Sequence, residues 1–261
     1  MSWIITGTQK NNWTPADIDT ALWLDAADAS TITEVGGAVS QWNDKSGGHH
    51  HVSQSLAGQR PTTGTRTLNG LNVIDFDGDI LFTSDSIVSG NPNLTLAVVV
   101  LYDTTVATAD RVLQISSGVG TSAAIAGGTD GYSWRFNNGN NIYDAITTGS
   151  AVLQVAVRPS GGNYASSRMF INGIETNSTS SSNPTATPNL GLGLSIGAGA
   201  SLTTPLGTNA DPVDGVIGEA IVIESDSVIT RQRIEGYLAH KWGLTANLPA
   251  DHPYKTAVPV P

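Results

Sequence analysis

The chain has 261 residues and no cysteine, and Asp and Glu outnumber Lys and Arg 22 to 12, for a formal net charge of −10. Disulfides, thiol nucleophiles and cysteine metal sites are thereby excluded, and an acidic surface repels phosphate backbones, so nucleic acid is not an expected partner. No apolar run approaches the roughly 18 residues of a membrane helix, and the first 20 residues lack the cationic and apolar segments of a secretory leader.

Residues 1–20 read as an N-terminal arm. Ser2 to Thr6 suits β-augmentation, which makes Trp3, Ile4 and Ile5 candidate partner contacts. Pro15 after Thr14, with Asp17 in the first turn, predicts a short helical turn. Residues 21–249 read as one domain. Val73 to Asp77 alternates, with Ile74 and Phe76 on one face, and Asp77-Gly78 supplies turn chemistry. Residues 94–101 are apolar on both faces, which predicts a strand buried on both sides. Residues 112–115 form a further short strand. Tyr132, Trp134 and Phe136 recur at period two and share a face. Residues 151–157 are ended by Pro159.

Arg168 to Thr176 is a hairpin, because Asn172-Gly173 supplies the two positive-φ residues of a type I′ turn. Residues 176–189 and 201–215 are polar loops, and strands follow at 192–196 and 218–224. Ile234, Tyr237, Leu238 and Trp242 recur at helical spacing. They predict a helix over 230–243, capped by Thr230, stapled by Ile229 and Ile234, and ended by Gly243. Residues 250–261, with three prolines, read as a tail lying extended against a neighbour; Tyr254 is its candidate contact. Many strands and one amphipathic helix mean an all-β, two-sheet antiparallel sandwich.

Several motifs mark both ends: Thr14-Pro15-Ala16-Asp17, Ala21-Leu22-Trp23-Leu24-Asp25-Ala26-Ala27-Asp28, Gln41-Trp42-Asn43-Asp44-Lys45-Ser46-Gly47, and Arg233-Ile234-Glu235-Gly236-Tyr237-Leu238-Ala239-His240-Lys241-Trp242-Gly243-Leu244 before Leu248-Pro249-Ala250-Asp251-His252-Pro253-Tyr254. Together they resemble the concanavalin A-like, laminin G-like domains of tailed-phage virion proteins and of some large bacterial surface proteins, over residues 14–256. The resemblance implies a jelly roll whose concave face binds glycans or protein partners, with no catalysis. It implies a virion structural protein, foremost a capsid decoration protein on the virion surface. Its expected partners are the major capsid protein and further copies of itself. A carbohydrate-binding adhesin of a tail or cell surface is the first alternative and a glycan-active hydrolase the last. Where relatives carry one His, this chain reads Gly48-His49-His50-His51.

The chemistry of candidate sites is sparse. Tyr132, Trp134, Asn138, Asn141 and Tyr143 form a candidate glycan face, since aromatic rings stack on sugars and amides bond hydroxyls; the competing reading puts the aromatics in the core. Trp23, Trp42 and Trp242 read as core. Asp75, Asp77 and Asp79 place oxygen ligands at alternate positions, a candidate calcium site, with Asp25, Asp28 and Asp44 as a second set. No other cofactor is expected. Three consecutive His residues point to alternate faces and do not close a coordination sphere, so a solvated loop is expected. Glu219 and Glu224 lie on opposite faces of one strand, the wrong arrangement for a glycosidase pair. The chain is therefore expected to be no enzyme.

Overall fold

A computed structural model describes residues 12–104, 110–116, 122–128, 131–136, 146–162, 166–176, 190–199 and 211–261. Its strands are β1 (Leu22–Asp25), β2 (Ile32–Val35), β3 (Ala38–Trp42), β4 (Val52–Ser53), β5 (Thr62–Leu68), β6 (Leu71–Asp77), β7 (Leu81–Thr83), β8 (Leu94–Thr104), β9 (Asp110–Ser116), β10 (Ser122–Gly128), β11 (Gly131–Phe136), β12 (Ala151–Arg158), β13 (Arg168–Ile171), β14 (Ile174–Glu175), β15 (Leu192–Ile196) and β16 (Asp214–Ile223). The helix α1 (Val228–Trp242) follows. One layer runs β11-β10-β9-β15-β7-β4-β3 and the other β5-β6-β16-β8-β12-β13-β14. They join where β3 meets β5 through the single pair Ala38–Thr62. The fold is the expected all-β antiparallel sandwich with a C-terminal helix.

Side-chain alternation along β8 shows how the layers stack. Leu94, Leu96, Val98, Val100 and Tyr102 face the core between the sheets, with Trp42, Phe76, Ile125 and Trp134. Ala97 and Val99 face the other way, where Leu153, Val155, Phe170 and Ile221 meet Ile234, Leu238, Ala239 and Trp242 of α1. A strand covered on both faces is apolar on both, as residues 94–101 are apart from Thr95, whose hydroxyl donates to Ser225 O. The helix is thus a third layer roofing one sheet, which the isolated amphipathic stripe did not reveal.

The start of α1 differs from the sequence expectation. Ser227 is the N-cap, its hydroxyl accepting from Thr230 N at 3.3 Å. Ile229 is 64% exposed and staples nothing. Val228 and Ile229 occupy the first turn, which projects beyond the sheet, so apolar periodicity missed it. Gly243 ends the helix at φ 74°, as expected.

The tail is not a free arm. Trp13 N donates to Pro259 O at 2.9 Å, and His240 Nε2 lies 2.9 Å from Tyr254 O. Tyr254, the candidate partner contact, packs instead on the chain's own helix. A Cβ at Gly236 would come within 2.4 Å of Tyr254 Cβ. Trp3, Ile4 and Ile5 lie outside the described residues.

Candidate functional site

The motifs at the two ends converge on one buried carboxylate. Glu219 of β16 has no exposed surface. Its Oε1 accepts from Trp23 Nε1 (2.6 Å) and Tyr237 Oη (2.9 Å). Its Oε2 accepts from Trp242 Nε1 (2.8 Å) and Lys241 Nζ (2.7 Å). Burial pushes this carboxyl above the usual range, and the Lys241 ammonium opposes the shift. Lys241 also grips Asp25 at 2.6 Å, and Lys45 holds Asp25 and Asp28 at 2.9 Å each. Both Glu219 oxygens are fully engaged, so this group fastens α1 to the sheet and is closed to ligand.

The loop after β3 is organised by a second carboxylate. Asp44 accepts from Trp23 N (2.9 Å), Ser46 N (2.9 Å), Ser46 Oγ (2.7 Å) and His50 N (3.1 Å). Its own N–H donates to His51 Nδ1 at 3.0 Å. The His run is a loop with His49 exposed and His50 and His51 half-buried, His51 bracing Asp44. Held this way, the loop forms one wall of a cleft of about 570 Å³; the segment before β1 and the end of β16 contribute the rest. Asp19, Thr20, Ser46, His50 and Glu224 supply its polar groups, and Ile87 an apolar patch. Asp19 and Glu224 are exposed, and the His50 ring lies 3.7 Å from Asp85. Among the described residues no Lys or Arg lines the cleft. Carboxylates that accept without donating, hydroxyls that do both and a small apolar surface suit a polyhydroxylated ligand.

The sequence-predicted residues lie elsewhere. Trp134 has no exposed surface and Tyr132 only 4%. Both point from β11 into the core between the sheets, so Trp134 offers no stacking platform. The aromatic period that suggested a sugar face is the inward face of a sheet strand. Asn138, Asn141 and Tyr143 lie outside the described residues.

Two of the three candidate calcium carboxylates have partners within the chain. Asp75 is held by Arg66 at 3.0 Å, and the same guanidinium binds Asp103. Asp79 turns back to accept from Asp77 N at 3.2 Å. Alternate acidic residues here meet a fixed cation and a turn amide. The second set is likewise satisfied: lysines hold Asp25 and Asp28, and Asp44 braces its loop. Among the described residues no cluster of three acidic or His side chains has metal-binding geometry.

Sequence reasoning missed Asp19 and Glu224 as neighbours. Strand periodicity tests only residues on one strand, and these two come from opposite ends of the chain.

No family model matches the sequence, and no curated protein matches it. Among solved structures the chain is similar to domain 4 of a GH43 extracellular arabinanase from Geobacillus stearothermophilus, solved with arabinotriose. Identity is 13% and the TM-score 0.58, over 82% of this chain and 96% of that one. An arabinofuranosidase solved with an arabinofuranosyl xylobiose gives 14% identity and a TM-score of 0.54, over 83% of this chain and 58% of that one. A Trypanosoma rangeli sialidase gives 11% and 0.51, over 86% of this chain and 34% of that one. The chain thus spans little more than half of the second protein and a third of the third. At these identities the likeness establishes the shared β-sandwich fold. It also overturns the expectation that the chain is no enzyme: chains with this fold belong to glycoside hydrolases, so the fold does not carry the exclusion that the resemblance implied.

Proposed function

We propose that this chain is a surface-displayed β-sandwich module that recognises glycan in the cleft between Asp19, Ser46, His50 and Glu224. The observation that carries this reading is the cleft itself: open, free of Lys and Arg, and walled by a loop that Asp44 fixes from within. The arabinanase domain solved with arabinotriose supports it, as a chain of the same fold found with an oligosaccharide.

The finer part of the proposal is display on a tailed-phage virion, as a head decoration protein contacting the major capsid protein and further copies of itself. The support is the resemblance of the motifs in 14–47 and 233–254 to virion proteins. The alternative place of display is a tail or cell surface, with the same cleft chemistry.

Two experiments test the two parts. Wild-type protein and the double variant Asp19→Asn/Glu224→Gln are applied to a glycan array, and bound glycans are then assayed for release of reducing ends. Both carboxylates are exposed, so the variant folds. Binding by the wild type that weakens at least about tenfold in the variant supports the cleft; binding unchanged by the variant overturns it. Cryo-EM of intact particles tests display. Density for this sandwich on the head lattice supports decoration, and its absence from heads overturns it.

A further inference from the structure

A second pocket, of about 260 Å³, shares no residue with the cleft. It lies where Tyr132 of β11 approaches the β12–β13 pair and the turn after α1. Among the described residues its lining carries no charged side chain. Val152 and Ile171 supply apolar surface; Thr147, Ser150, Asn172, Asn247 and Tyr132 supply polar groups.

Rigid elements build this pocket. Asn172 and Gly173 take φ 51° and 79° in the β13–β14 turn. Asn172 N donates to Leu153 O (2.8 Å) and its Oδ1 accepts from Leu153 N (3.0 Å). The amide orientation is thereby fixed, and its two Nδ2 donors remain uncommitted within the chain. A Cβ at Gly173 would lie 3.2 Å from Leu248 Cδ2 and Pro249 Cδ. Glycine therefore lets the turn seat closely on the segment that carries Asn247. Asn247 is exposed, and its side-chain amide makes no hydrogen bond among the described residues. The Tyr132 hydroxyl accepts from Thr147 N at 3.3 Å, which holds the opposite wall.

We propose that this pocket is a separate binding site for one neutral sugar residue. The fixed Asn172 amide and the exposed Asn247 amide donate to and accept from vicinal hydroxyls, and Val152 with Ile171 faces the C–H side of a ring. With no cation or anion in the lining, a uronate, sialate or amino sugar would bury its charge unpaired, so charged sugars are disfavoured. The volume falls below the roughly 300–1,000 Å³ of pockets for larger ligands, which limits the occupant to a single ring. The inference stands apart from the cleft and does not depend on it.

The test is NMR titration of the isotope-labelled chain with arabino-, xylo-, galacto- and gluco-oligosaccharides, with galacturonate and glucosamine as charged comparisons. A neutral probe is expected to shift the side-chain amide signals of Asn172 and Asn247. Asn247→Ala, at an exposed position whose side chain makes no hydrogen bond among the described residues, is expected to weaken that probe about tenfold. Ser150→Trp is expected to abolish binding by filling the mouth. Asp19→Asn/Glu224→Gln is expected to leave it unchanged, which separates this site from the cleft. If no neutral probe moves the two amides at millimolar concentration, if charged sugars bind as well, or if Asn247→Ala binds like the wild type, the proposal is overturned.

Discussion

At the scale of single residues, Lys241 bears on stability most directly. It is the ammonium within reach of both Asp25 and the fully buried Glu219. Removing one partner of a buried ion pair leaves the other charge uncompensated, which costs about 3–5 kcal/mol. Lys241→Met, which keeps the apolar stem, is expected to lower unfolding free energy by that amount in urea titrations at neutral pH. A loss below about 1 kcal/mol would mean that Trp23, Tyr237 and Trp242 satisfy Glu219 unaided. The pH dependence has a definite sign. Burial raises the folded-state pKa of Glu219 above the usual 4.5. Its contribution is then fully present below 4.5 and is lost as pH rises through the folded value. The deficit of Lys241→Met is accordingly expected to shrink as pH falls from neutral toward the ordinary carboxylate range, because a protonated Glu219 needs no ammonium. Titrations across that range check it. Trp23, Trp42 and Trp242 were legible as core, since large aromatics in framework motifs bury well. The carboxylate that two of them clasp was not, because its neighbours Ala220 to Ile223 read as plain apolar strand.

At the scale of elements, the attachment of α1 to the sheet turns on its cap and on one glycine. Ser227→Ala removes the side-chain acceptor for Thr230 N and is expected to cost about 1 kcal/mol. Thr230→Ala, a change inside the first turn, is expected to cost less. Comparing the two midpoints in denaturant distinguishes the observed start from the one apolar spacing suggests. Gly218 lies at the bulge where β16 changes neighbour, pairing with β6 through Ile217 and with β1 from Glu219. A Cβ there would meet three atoms of the Trp242 ring at 2.8–3.0 Å. Gly218→Ala is expected to destabilise by about 1–3 kcal/mol through overpacking, with a shift in Trp fluorescence as the ring is displaced. The middle of the helix was legible because Ile234, Leu238 and Trp242 keep strict spacing. Its start was not, because an exposed first turn obeys no burial pattern.

At the scale of the whole molecule, the three layers predict a gradient of local stability. Strands β8, β12 and β16 are covered on both faces, so their amides are expected to exchange only through global unfolding. The largely exposed β2 and the two-residue β14 are expected to exchange orders of magnitude faster. Hydrogen exchange read by mass spectrometry checks this, and fast exchange in β8 would contradict the helix as a roofing layer.

The sequence by itself determined the all-β class, the doubly buried strand at 94–101, the Asn172-Gly173 hairpin, the body of the helix and the Trp core. Each of these is a local matter, decided by periodicity of two or 3.6 residues or by turn chemistry within a few positions. The tertiary structure alone decided what the polar groups do. Alternating Asp75, Asp77 and Asp79 carry oxygens at plausible intervals, but Arg66, nine positions away from Asp75, takes the first carboxylate. Tyr132 and Trp134 of β11 face inward because a second sheet lies over them. Asp19 and Glu224 share a cleft only because β1 pairs with the distal half of β16. A hydrogen bond or ion pair depends on position in space, and in a sheet assembled from both ends of the chain, sequence separation carries almost no information about that position.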